Sequence, residues 1–355
     1  MQMIQTQNTK KNIAIIFGGH SSEYKVSLQS AAAVISHMEH LPYNIILIGI
    51  TKEGQWFRYF GSTDHIENDT WQSGRCIPAI ISPDASHHGL MEFYGADIHF
   101  THIDAAFPVL HGKNGEDGTI QGLLAMANIP CIGCGPLSSA LCMDKDIAHR
   151  LASQAGIKVP RSIVLHDYDR ISGSELARNV EAMGYPVFVK PANAGSSFGI
   201  TRVIHSGQLT GALKAAFAHD HKVLIEESVD GFEVGCAVCG RESLIIGEVD
   251  EIELSEGFFD YNEKYTLKTS KIHMPARISD EDKKRIKETA LLLYRTLECD
   301  IFARVDMFFT KQKDIVFNEI NTIPGFTAHS RYPGMMKGAG MDFDTIIKKL
   351  VEVAL

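Results

Sequence analysis

The alternation of apolar runs with helix-like segments is the feature that most restricts the fold of this 355-residue chain. The run NIAIIFGG at 12–19 predicts a buried strand that ends in a turn, and KVSLQSAAAVISHM after it has helical composition. YNIILIGI and AAFPVL predict further strands, and GTIQGLLAMA predicts a helix. Strands that alternate with helices form a parallel, helix-covered sheet. Ligands gather at the carboxyl ends of such strands, just beyond which Ser22, Glu23 and His111 lie.

The pattern changes near residue 140, which divides the chain into parts. A helix (MDKDIAHRLASQAG) and a strand (YPVFVK) are followed by runs that suggest an antiparallel meander, VLIEESV, FEVGCAVCG and SLIIGEVDEIEL. We therefore predict an α/β chain with an N-terminal parallel α/β domain (1–137), a central subdomain (138–228) and a C-terminal subdomain (229–355). The last two carry antiparallel sheets. The aperiodic segment 255–276 is too long for an ordinary connection, and we predict a lid loop over 250–276.

Composition excludes several classes of function. The formal net charge of −9 argues against a nucleic-acid surface. The apolar runs are far shorter than the ~20 residues that cross a bilayer, and the polar N-terminus lacks a signal peptide, so we expect a cytoplasmic protein. Seven cysteines, an odd number, fit a reducing compartment. Two CxxC pairs, Cys131/Cys134 and Cys236/Cys239, are predicted to be buried thiols, because a motif without its structural context is a weak indication of zinc. In the second pair, FEVGCAVCG has the composition of a strand, on which residues three apart face opposite ways.

A predicted hairpin near the C-terminus concentrates polar groups. FARVDMFF (302–309) and DIVFNEIN (314–321) flank a polar turn. With a four-residue loop, Asp306 lies directly opposite Glu319, with Arg304 and Asn321 on the same face; a five-residue loop would break this cluster. Opposed carboxylates repel each other unless a cation or a proton lies between them. The oxygen-bearing side chains suit Mg²⁺, and ion pairing alone is the alternative interpretation.

A second cluster suits an anion. The chain has no GxxxxGK[ST] motif, so it is not a P-loop enzyme. In KPANAGSSFGI, Lys190 ends a strand, and the small residues from 192 to 199 let backbone N–H groups approach a phosphate. The alternative is a mobile surface hairpin. Lys145 begins a helix, where it could serve a phosphate or simply be solvated.

Six blocks in one order carry a family resemblance: FGGHSSEYKVSLQSA, PVLHGKNGEDGTIQG, SSALCMDK, KPANAGSSFGI, EKY and NEINTIPGFTAHSRYP. From about residue 12 to its end, the chain resembles the D-alanine–D-alanine ligases and their vancomycin-resistance relatives, which have the ATP-grasp fold. It is most similar to D-alanine–D-serine ligases of the VanG type. The resemblance implies ATP as substrate, two Mg²⁺ (or Mn²⁺) ions and a homodimer, without nucleic-acid or membrane partners.

The resemblance also implies roles for individual residues. The nucleotide side comprises Lys145, Lys190 and Lys264 on the phosphates, with Glu226 and Glu233 on the adenine amino group and the ribose hydroxyls. The metal ligands are Asp306, Glu319 and Asn321. Glu23 would engage the ammonium of D-alanine and form a triad with Ser196 and Tyr265 that closes the lid. Arg304 and the Gly325 backbone would stabilise the tetrahedral intermediate, His111 would lie near the acceptor, and Ser330 would bind its carboxylate.

The acceptor is predicted to be D-serine rather than D-alanine. Tyr265 stands where D-lactate ligases tend to have histidine, which favours an amine nucleophile. Arg331 follows the serine of HS, and a guanidinium can organise hydrogen bonds around a hydroxymethyl group. Asp250 and Phe259 match residues implicated in serine preference. Pairing of Arg331 with a carboxylate is the alternative. Rival functions are D-alanine–D-alanine ligation, another ATP-grasp ligase and a non-catalytic nucleotide-binding regulator.

Overall fold

The computed structural model describes residues 10–195, 198–254, 270–327 and 329–355. Its N-terminal sheet has seven strands in the order β6-β5-β4-β3-β2-β1-β7. These strands are β1 (Lys11–Gly18), β2 (Tyr43–Ile50), β3 (Trp56–Phe60), β4 (Arg75–Ile81), β5 (Gly89–Tyr94), β6 (Asp97–His102) and β7 (Ala105–Pro108). The helices of this part are α1 (Tyr24–Met38), α2 (Thr63–Glu67), α3 (Thr119–Met126) and α4 (Pro136–Met143).

The predicted parallel sheet is present around β1, which pairs in parallel with β2 and with β7. Ile13 and Ile15 on one face of β1, and Ala14 and Ile16 on the other, belong to separate buried clusters, so this strand is covered on both sides. The sheet as a whole is mixed, because β2 to β6 pair as antiparallel neighbours in chain order. The carboxyl ends of β1 and β7 lead directly into Glu23 and His111.

The central subdomain holds a four-stranded antiparallel sheet in the order β10-β9-β11-β8. The strands are β8 (Ser162–His166), β9 (Val187–Pro191), β10 (Thr201–Val203) and β11 (Lys222–Glu227). The helices are α5 (Lys145–Gln154), α6 (Gly173–Met183) and α7 (Leu209–Phe217). Apolar side chains of β9 and β11, such as Val189 and Ile225, pack with Leu176 and Val180 of α6 into one core. Lys190 and Glu226 follow these core positions at the ends of the same two strands.

The C-terminal subdomain has five antiparallel strands in the order β14-β13-β12-β15-β16. The strands are β12 (Gly231–Cys239), β13 (Ile245–Leu254), β14 (Ser270–His273), β15 (Phe302–Thr310) and β16 (Ile315–Asn321). The helices are α8 (Asp280–Thr296), α9 (Arg331–Gly338) and α10 (Phe343–Ala354). Ser279 caps α8, with its Oγ accepting the Asp282 N–H at 3.2 Å. Two antiparallel sheets after a mixed α/β sheet confirm the predicted fold class.

The predicted lid segment 250–276 is corrected at both ends. Residues 250–254 complete β13, and β14 pairs with them, Leu254 opposite Ser270. Residues 255–269 lie outside the described part of the chain. The two strands that flank this range, β13 and β14, pair with each other.

All seven cysteines are free thiols. Five are buried, at Cys134, Cys142, Cys236, Cys239 and Cys299. Burial raises the pKa of the Cys236 thiol, and it raises that of Cys239 to about 11. In the described ranges, no helix combines the length and apolar character that a bilayer crossing requires.

Candidate active site

The β15–β16 hairpin brings the predicted polar cluster together. Asp306 pairs directly with Glu319, and Arg304 pairs with Asn321. Residues directly opposite each other in an antiparallel pair share a face, so the four side chains lie on one face of the sheet. The predicted pairing of the two carboxylates is confirmed.

The route to this register differs from the expected one. Residues 311–314 connect the strands, and Phe309 pairs with Ile315. If the register of that pair continued along the hairpin, Asn318 would lie opposite Asp306. The register shifts by one residue between Asp306 and Met307, where Phe317 is the next partner on β16. A β-bulge at Asn318 therefore restores the pairing of Asp306 with Glu319.

Asp306 is the electrostatic centre of the cluster and is only 1% exposed. Arg304 donates to it from Nε at 2.9 Å and from Nη2 at 2.7 Å, and Asn321 Nδ2 donates at 2.9 Å. Arg331 Nη1 lies 3.2 Å from Asp306 Oδ1. Burial lowers the pKa of Arg304, but the charge of Asp306, its hydrogen bond and the charge of Glu233 together raise that pKa above its usual value. Arg304 is thus a permanent cation.

The donor set of this cluster fits a hard cation. Within the described ranges, no three His, Cys, Asp or Glu side chains converge as a metal site. The hairpin instead offers the carboxylates of Asp306 and Glu319 and the amide of Asn321. Asn321 Nδ2 donates a hydrogen bond to Asp306, and its side-chain oxygen remains able to act as a ligand. Oxygen donors of this kind, completed by phosphate and water, suit Mg²⁺ or Mn²⁺.

Two buried lysines approach this cluster from the central subdomain. Lys145 Nζ donates to the Ala194 carbonyl at 2.8 Å and lies 3.5 Å from Glu319 Oε2. Lys190 Nζ lies 2.5 Å from Glu226 Oε2. Each ammonium is paired with a carboxylate in a largely dry position, where an arriving phosphate could compete for it.

The small-residue loop after β9 is tied down on both sides. Asn193 donates from its backbone N–H at 2.8 Å and from Nδ2 at 2.9 Å to Asp220 Oδ2. The Lys145 N–H donates to the Ala192 carbonyl at 3.1 Å. These contacts hold the described part of the loop against the helix that carries Lys145, which favours the anion-binding interpretation over a mobile hairpin.

Glu23, His111 and a second acidic residue, Glu116, form the N-terminal wall. Glu23 is buried, and a Cβ at Gly112 or at Gly195 would collide with its Oε2, so a side chain at either position would displace the carboxylate. Glu116 accepts the Gly112 N–H at 2.8 Å and the Ile323 N–H at 3.2 Å. Burial, and then the charge of Glu23, raise the pKa of Glu116 to about 8.

His111 is a neutral link between the N-terminal domain and the segment after β16. Its Nδ1–H donates to the Ile323 carbonyl at 2.9 Å, and its Nε2 accepts the Ser30 hydroxyl at 3.0 Å. Burial outweighs the hydrogen bond to Ile323 and lowers the pKa of His111 to about 4. The ring therefore stays uncharged near neutral pH.

Arg331 pairs with carboxylates, as the alternative interpretation proposes. Its Nε and Nη2 donate to the two oxygens of Asp250 at 2.7 and 2.8 Å, and its Nη1 donates to Glu233 Oε1 at 2.7 Å. Burial alone would lower the pKa of Arg331, but Asp250 and then Asp306 hold it well above its usual value. A guanidinium shared by three carboxylates joins β12, β13 and β15 to the first residue of α9.

Ser330 precedes α9 and turns its hydroxyl back onto the preceding loop. Its Oγ accepts the Thr327 N–H at 2.9 Å and lies 2.8 Å from Thr327 Oγ1. A Cβ at Gly325 would lie 3.0 Å from the same oxygen. The N-terminus of α9 and this loop thus meet at one point, where backbone N–H groups can take an anion.

One cavity of about 550 Å³ is lined by seven of the predicted site residues. The predicted site residues that line it are Glu23, His111, Arg304, Asn321, Gly325, Ser330 and Arg331. Glu116 also lines it, although no role was predicted for it. Four predicted site residues, Ser196, Phe259, Lys264 and Tyr265, lie outside the described part of the chain.

Two family models cover most of the chain. Residues 12–134 match the model described as "D-ala D-ala ligase N-terminus", and residues 151–352 match "D-ala D-ala ligase C-terminus". These two ranges contain all the site residues described above except Lys145, which lies between them.

Known proteins of similar length resemble the chain throughout. It is 42% identical to the vancomycin C-type resistance protein VanC1 of Enterococcus gallinarum, over 97% of this chain and 98% of that protein. It is 40% identical to a D-alanine–D-alanine ligase of Thermoanaerobacter sp. (strain X514), over 98% and 97%. The crystal structure of VanG D-Ala:D-Ser ligase from Enterococcus faecalis has a TM-score of 0.89 and 53% identity, over 98% of this chain and 100% of that one.

Proposed function

Because the chain belongs to the D-alanine–D-alanine ligase family, whose members are ATP-dependent ligases, we propose that it joins D-alanine to D-serine through a D-alanyl phosphate. The observation that carries the acceptor proposal is the Arg331–Asp250 pair beside the central cavity. The 53% identity to a structure named as a D-Ala:D-Ser ligase supports the same acceptor.

Arg331 makes the cavity wall polar at the proposed acceptor end. Asp250 fixes the guanidinium from behind, so Arg331 would present a rigid polar edge to the acceptor side chain. Arg331 Nη2 carries a second N–H besides the one that it gives to Asp250, and a hydroxymethyl oxygen could accept it, whereas a methyl group could not. Sites built to pair a hydroxyl discriminate strongly against analogues that lack it. Phe259 is proposed to complete the acceptor pocket.

The first half-reaction is phosphoryl transfer. A carboxylate oxygen of D-alanine attacks the γ-phosphorus of ATP, the bond to the β–γ bridging oxygen breaks, and ADP leaves. Lys145 would leave Glu319, and Lys190 would leave Glu226, to neutralise the phosphate oxygens. Lys264 is proposed to bind the γ-phosphate with them. Glu226 and Glu233 would receive the adenine amino group and the ribose hydroxyls.

Asp306, Glu319 and Asn321 would hold two Mg²⁺ or Mn²⁺ ions. When bound, such ions neutralise the charge that spreads over the transferred phosphoryl group. Arg304 Nη2 and Arg331 Nη1 lie 2.7 and 3.2 Å from the Asp306 carboxylate, so a bound cation would share this carboxylate with two guanidinium groups.

The second half-reaction forms the peptide bond. The amine of the acceptor attacks the acyl carbon and loses a proton, the C–O bond to phosphate breaks, and inorganic phosphate leaves. Arg304, fixed by Asp306, and the Gly325 N–H would stabilise the oxyanion of the tetrahedral intermediate. Ser330 would bind the acceptor carboxylate, and the neutral ring of His111 would position the loop beside it.

Glu23 would bind the ammonium group of D-alanine. Its carboxylate is close to that of Glu116, and a cation between them would relieve their repulsion. Ser196 and Tyr265 are proposed to join Glu23 when the lid closes. Exclusion of water matters here because water would hydrolyse the acyl phosphate before the amine attacks.

The acceptor proposal is tested by phosphate release with D-alanine as first substrate. D-serine is expected to give the higher kcat/KM when the two acceptors are compared at equal concentrations, and mass spectrometry of the products separates the two dipeptides. Asp306→Asn, assayed in parallel, should lower phosphate release with both acceptors and thus corrects for contaminating phosphatase. A higher kcat/KM with D-alanine would overturn the proposal.

D-alanine as acceptor is the second candidate, and 40% identity to a D-alanine–D-alanine ligase favours it. ATP hydrolysis that does not respond to D-alanine would instead indicate a different acid as first substrate.

With D-serine, the product would be a peptidoglycan precursor with lowered affinity for vancomycin. We further propose a cytoplasmic homodimer, which sedimentation of the purified protein would test.

A further inference from the structure

The β-bulge at Asn318 decides whether the two acidic residues of the hairpin can act together. Near the turn, Phe309 pairs with Ile315, whereas beyond the bulge Asp306 pairs with Glu319. Because side chains alternate along a strand, a slip of one residue transfers each of them to the other face. Without the bulge, Asn318 would oppose Asp306 and Glu319 would point away from the cluster.

The extra residue of a bulge has backbone groups that the sheet cannot pair, and segments outside the sheet satisfy them here. The Asn318 carbonyl accepts a hydrogen bond from His149 Nε2 at 2.7 Å. The Phe317 N–H donates to the Lys158 carbonyl at 2.8 Å. Both partners belong to α5 or to the chain just after it.

His149 is placed for this contact by the helix that also carries Lys145. The two residues are one turn apart, and Lys145 lies 3.5 Å from Glu319 while His149 holds the carbonyl of the preceding residue. The His149 side chain is 4% exposed, and its ring lies edge-on to Phe317 with the centroids 5.4 Å apart. Its orientation is therefore fixed from two directions.

The hydrogen bond also identifies the tautomer. Because Nε2 faces a carbonyl oxygen, Nε2 carries the proton. The other nitrogen, Nδ1, lies 3.6 Å from Glu226 Oε1, and among the described residues neither atom has a hydrogen-bond partner. The hydrogen bond from His149 Nε2 to the Asn318 carbonyl can therefore hold the backbone of the bulge in place.

We propose that His149 is a positioning residue for the cation site: it anchors the bulge at Asn318 and so keeps Glu319 opposite Asp306. The proposal rests on the cation site of the proposed function. Removal of the donor would let the bulge migrate or relax, and the two carboxylates would separate. Cation affinity would then fall although no group proposed to touch the cation had changed.

The test measures Mn²⁺ binding by electron paramagnetic resonance in the presence of ADP, so it needs neither acceptor nor turnover. His149→Leu is expected to weaken Mn²⁺ binding about tenfold, in the range seen when groups that orient metal ligands are removed. His149→Gln, whose amide can replace the Nε2 donor, should stay within about threefold of wild type. His149→Asn has an amide too short to reach and should resemble His149→Leu.

Two controls separate this role from simple packing. His40→Leu removes an exposed histidine and should bind Mn²⁺ like wild type. ADP affinity without metal should change by less than about threefold in His149→Leu, because the change acts through the metal ligand. Circular dichroism establishes that each variant is folded, and should His149→Leu fail to fold, His149→Asn against His149→Gln carries the comparison.

The inference is overturned if His149→Leu or His149→Asn binds Mn²⁺ like wild type, or if His149→Gln loses as much affinity as they do. It is also overturned if metal-free ADP binding falls to the same extent, since the effect would then lie on the Glu226 side of the ring. These outcomes leave the proposed function intact. Failure of the wild-type protein to bind Mn²⁺ with ADP would instead remove the proposed cation site, and this inference with it.

Discussion

Arg331 and Asp250 form a bidentate ion pair in the protein interior, with the guanidinium Nε and Nη2 donating to both carboxylate oxygens at 2.7 and 2.8 Å. Asp250 is completely buried. The same guanidinium also serves Glu233 and Asp306. One guanidinium group therefore contacts three carboxylates, which three different strands contribute.

Removal of this cation should cost more stability than removal of one of its partners. Arg331→Met is expected to lower the free energy of unfolding by about 4 kcal/mol, because it removes the cation that pairs with the buried Asp250 carboxylate. Asp250→Asn should cost about half as much, since it leaves Arg331 with two other partners. Urea unfolding measures both. The exposed pair Lys311–Asp230 supplies the control Lys311→Met, expected to change stability by less than about 0.5 kcal/mol. An equal cost for Asp250→Asn would show that Glu233 and Asp306 do not depend on Arg331.

The hairpin carboxylates should be required for cation-dependent turnover. Asp306→Asn and Glu319→Gln each keep the size of the side chain but remove a charge, and we expect kcat/KM to fall about a hundredfold, with a higher Mg²⁺ concentration needed for half-maximal phosphate release. Asp314→Asn, a half-exposed acid beside the same turn, is the matched control and should leave both quantities unchanged. Equal effects of all three changes would indicate damage to the hairpin rather than to a cation site.

His111 should make the protein less stable in acid. Its pKa is about 4 in the folded chain, against 6.5 for an ordinary histidine, so the unfolded chain binds the proton more readily. The stability that the neutral ring contributes is present above the unfolded pKa and is lost as pH falls toward 4. Between pH 8 and pH 5 this loss should amount to about 2 kcal/mol.

His111→Gln should lack this part of the pH dependence. Urea unfolding of both proteins at pH 5 and pH 8 gives the difference directly, and Glu116, whose raised pKa has the opposite effect, cancels in the comparison. Parallel stability profiles for the two proteins would contradict the assignment of His111 as neutral.

Asp220 should control nucleotide affinity through the loop after β9. Its Oδ2 accepts two hydrogen bonds from Asn193, and without them the backbone N–H groups of the loop would lose their alignment toward a phosphate. Asp220→Ala is expected to raise the KM for ATP about tenfold, with a smaller effect on kcat. Steady-state kinetics at saturating amino acids measures both. The exposed Asp167→Ala is the control, and an unchanged KM for ATP in Asp220→Ala would mean that the loop holds its shape without this anchor.

The sequence predicts the acidic cluster better than it predicts the structure that supports it. Strand alternation places Glu319 with Asn321 and Asp306 with Arg304, because each pair depends only on period two. The offset near the turn and the bulge at Asn318 cancel, so the predicted pairing is correct although the register between them is not uniform. The bulge depends on His149 and Lys158, far away in sequence, and local patterns carry no information about such partners.

Glu116 and the partners of Arg331 show where sequence reasoning ends. Glu116 lies in the Gly-rich stretch HGKNGEDG just after a buried strand, and that position was a usable signal for an acid at the ligand edge. Arg331 could be expected to pair with an acid, but the choice of Asp250, Glu233 and Asp306 depends on how four segments pack. The predicted parallel sheet was likewise correct for β1, β2 and β7, whereas β3 to β6 were not anticipated.

The buried cysteines allow the opening of the core to be followed by chemical modification. Alkylating reagents need an accessible thiolate, which Cys134, Cys142, Cys236, Cys239 and Cys299 do not offer while the core is closed. Cys236 and Cys239 belong to β12, and Cys142 to α4. Counting modified thiols by mass along a denaturant ramp would therefore show whether the C-terminal sheet opens before, with or after the rest of the molecule, with no introduced label.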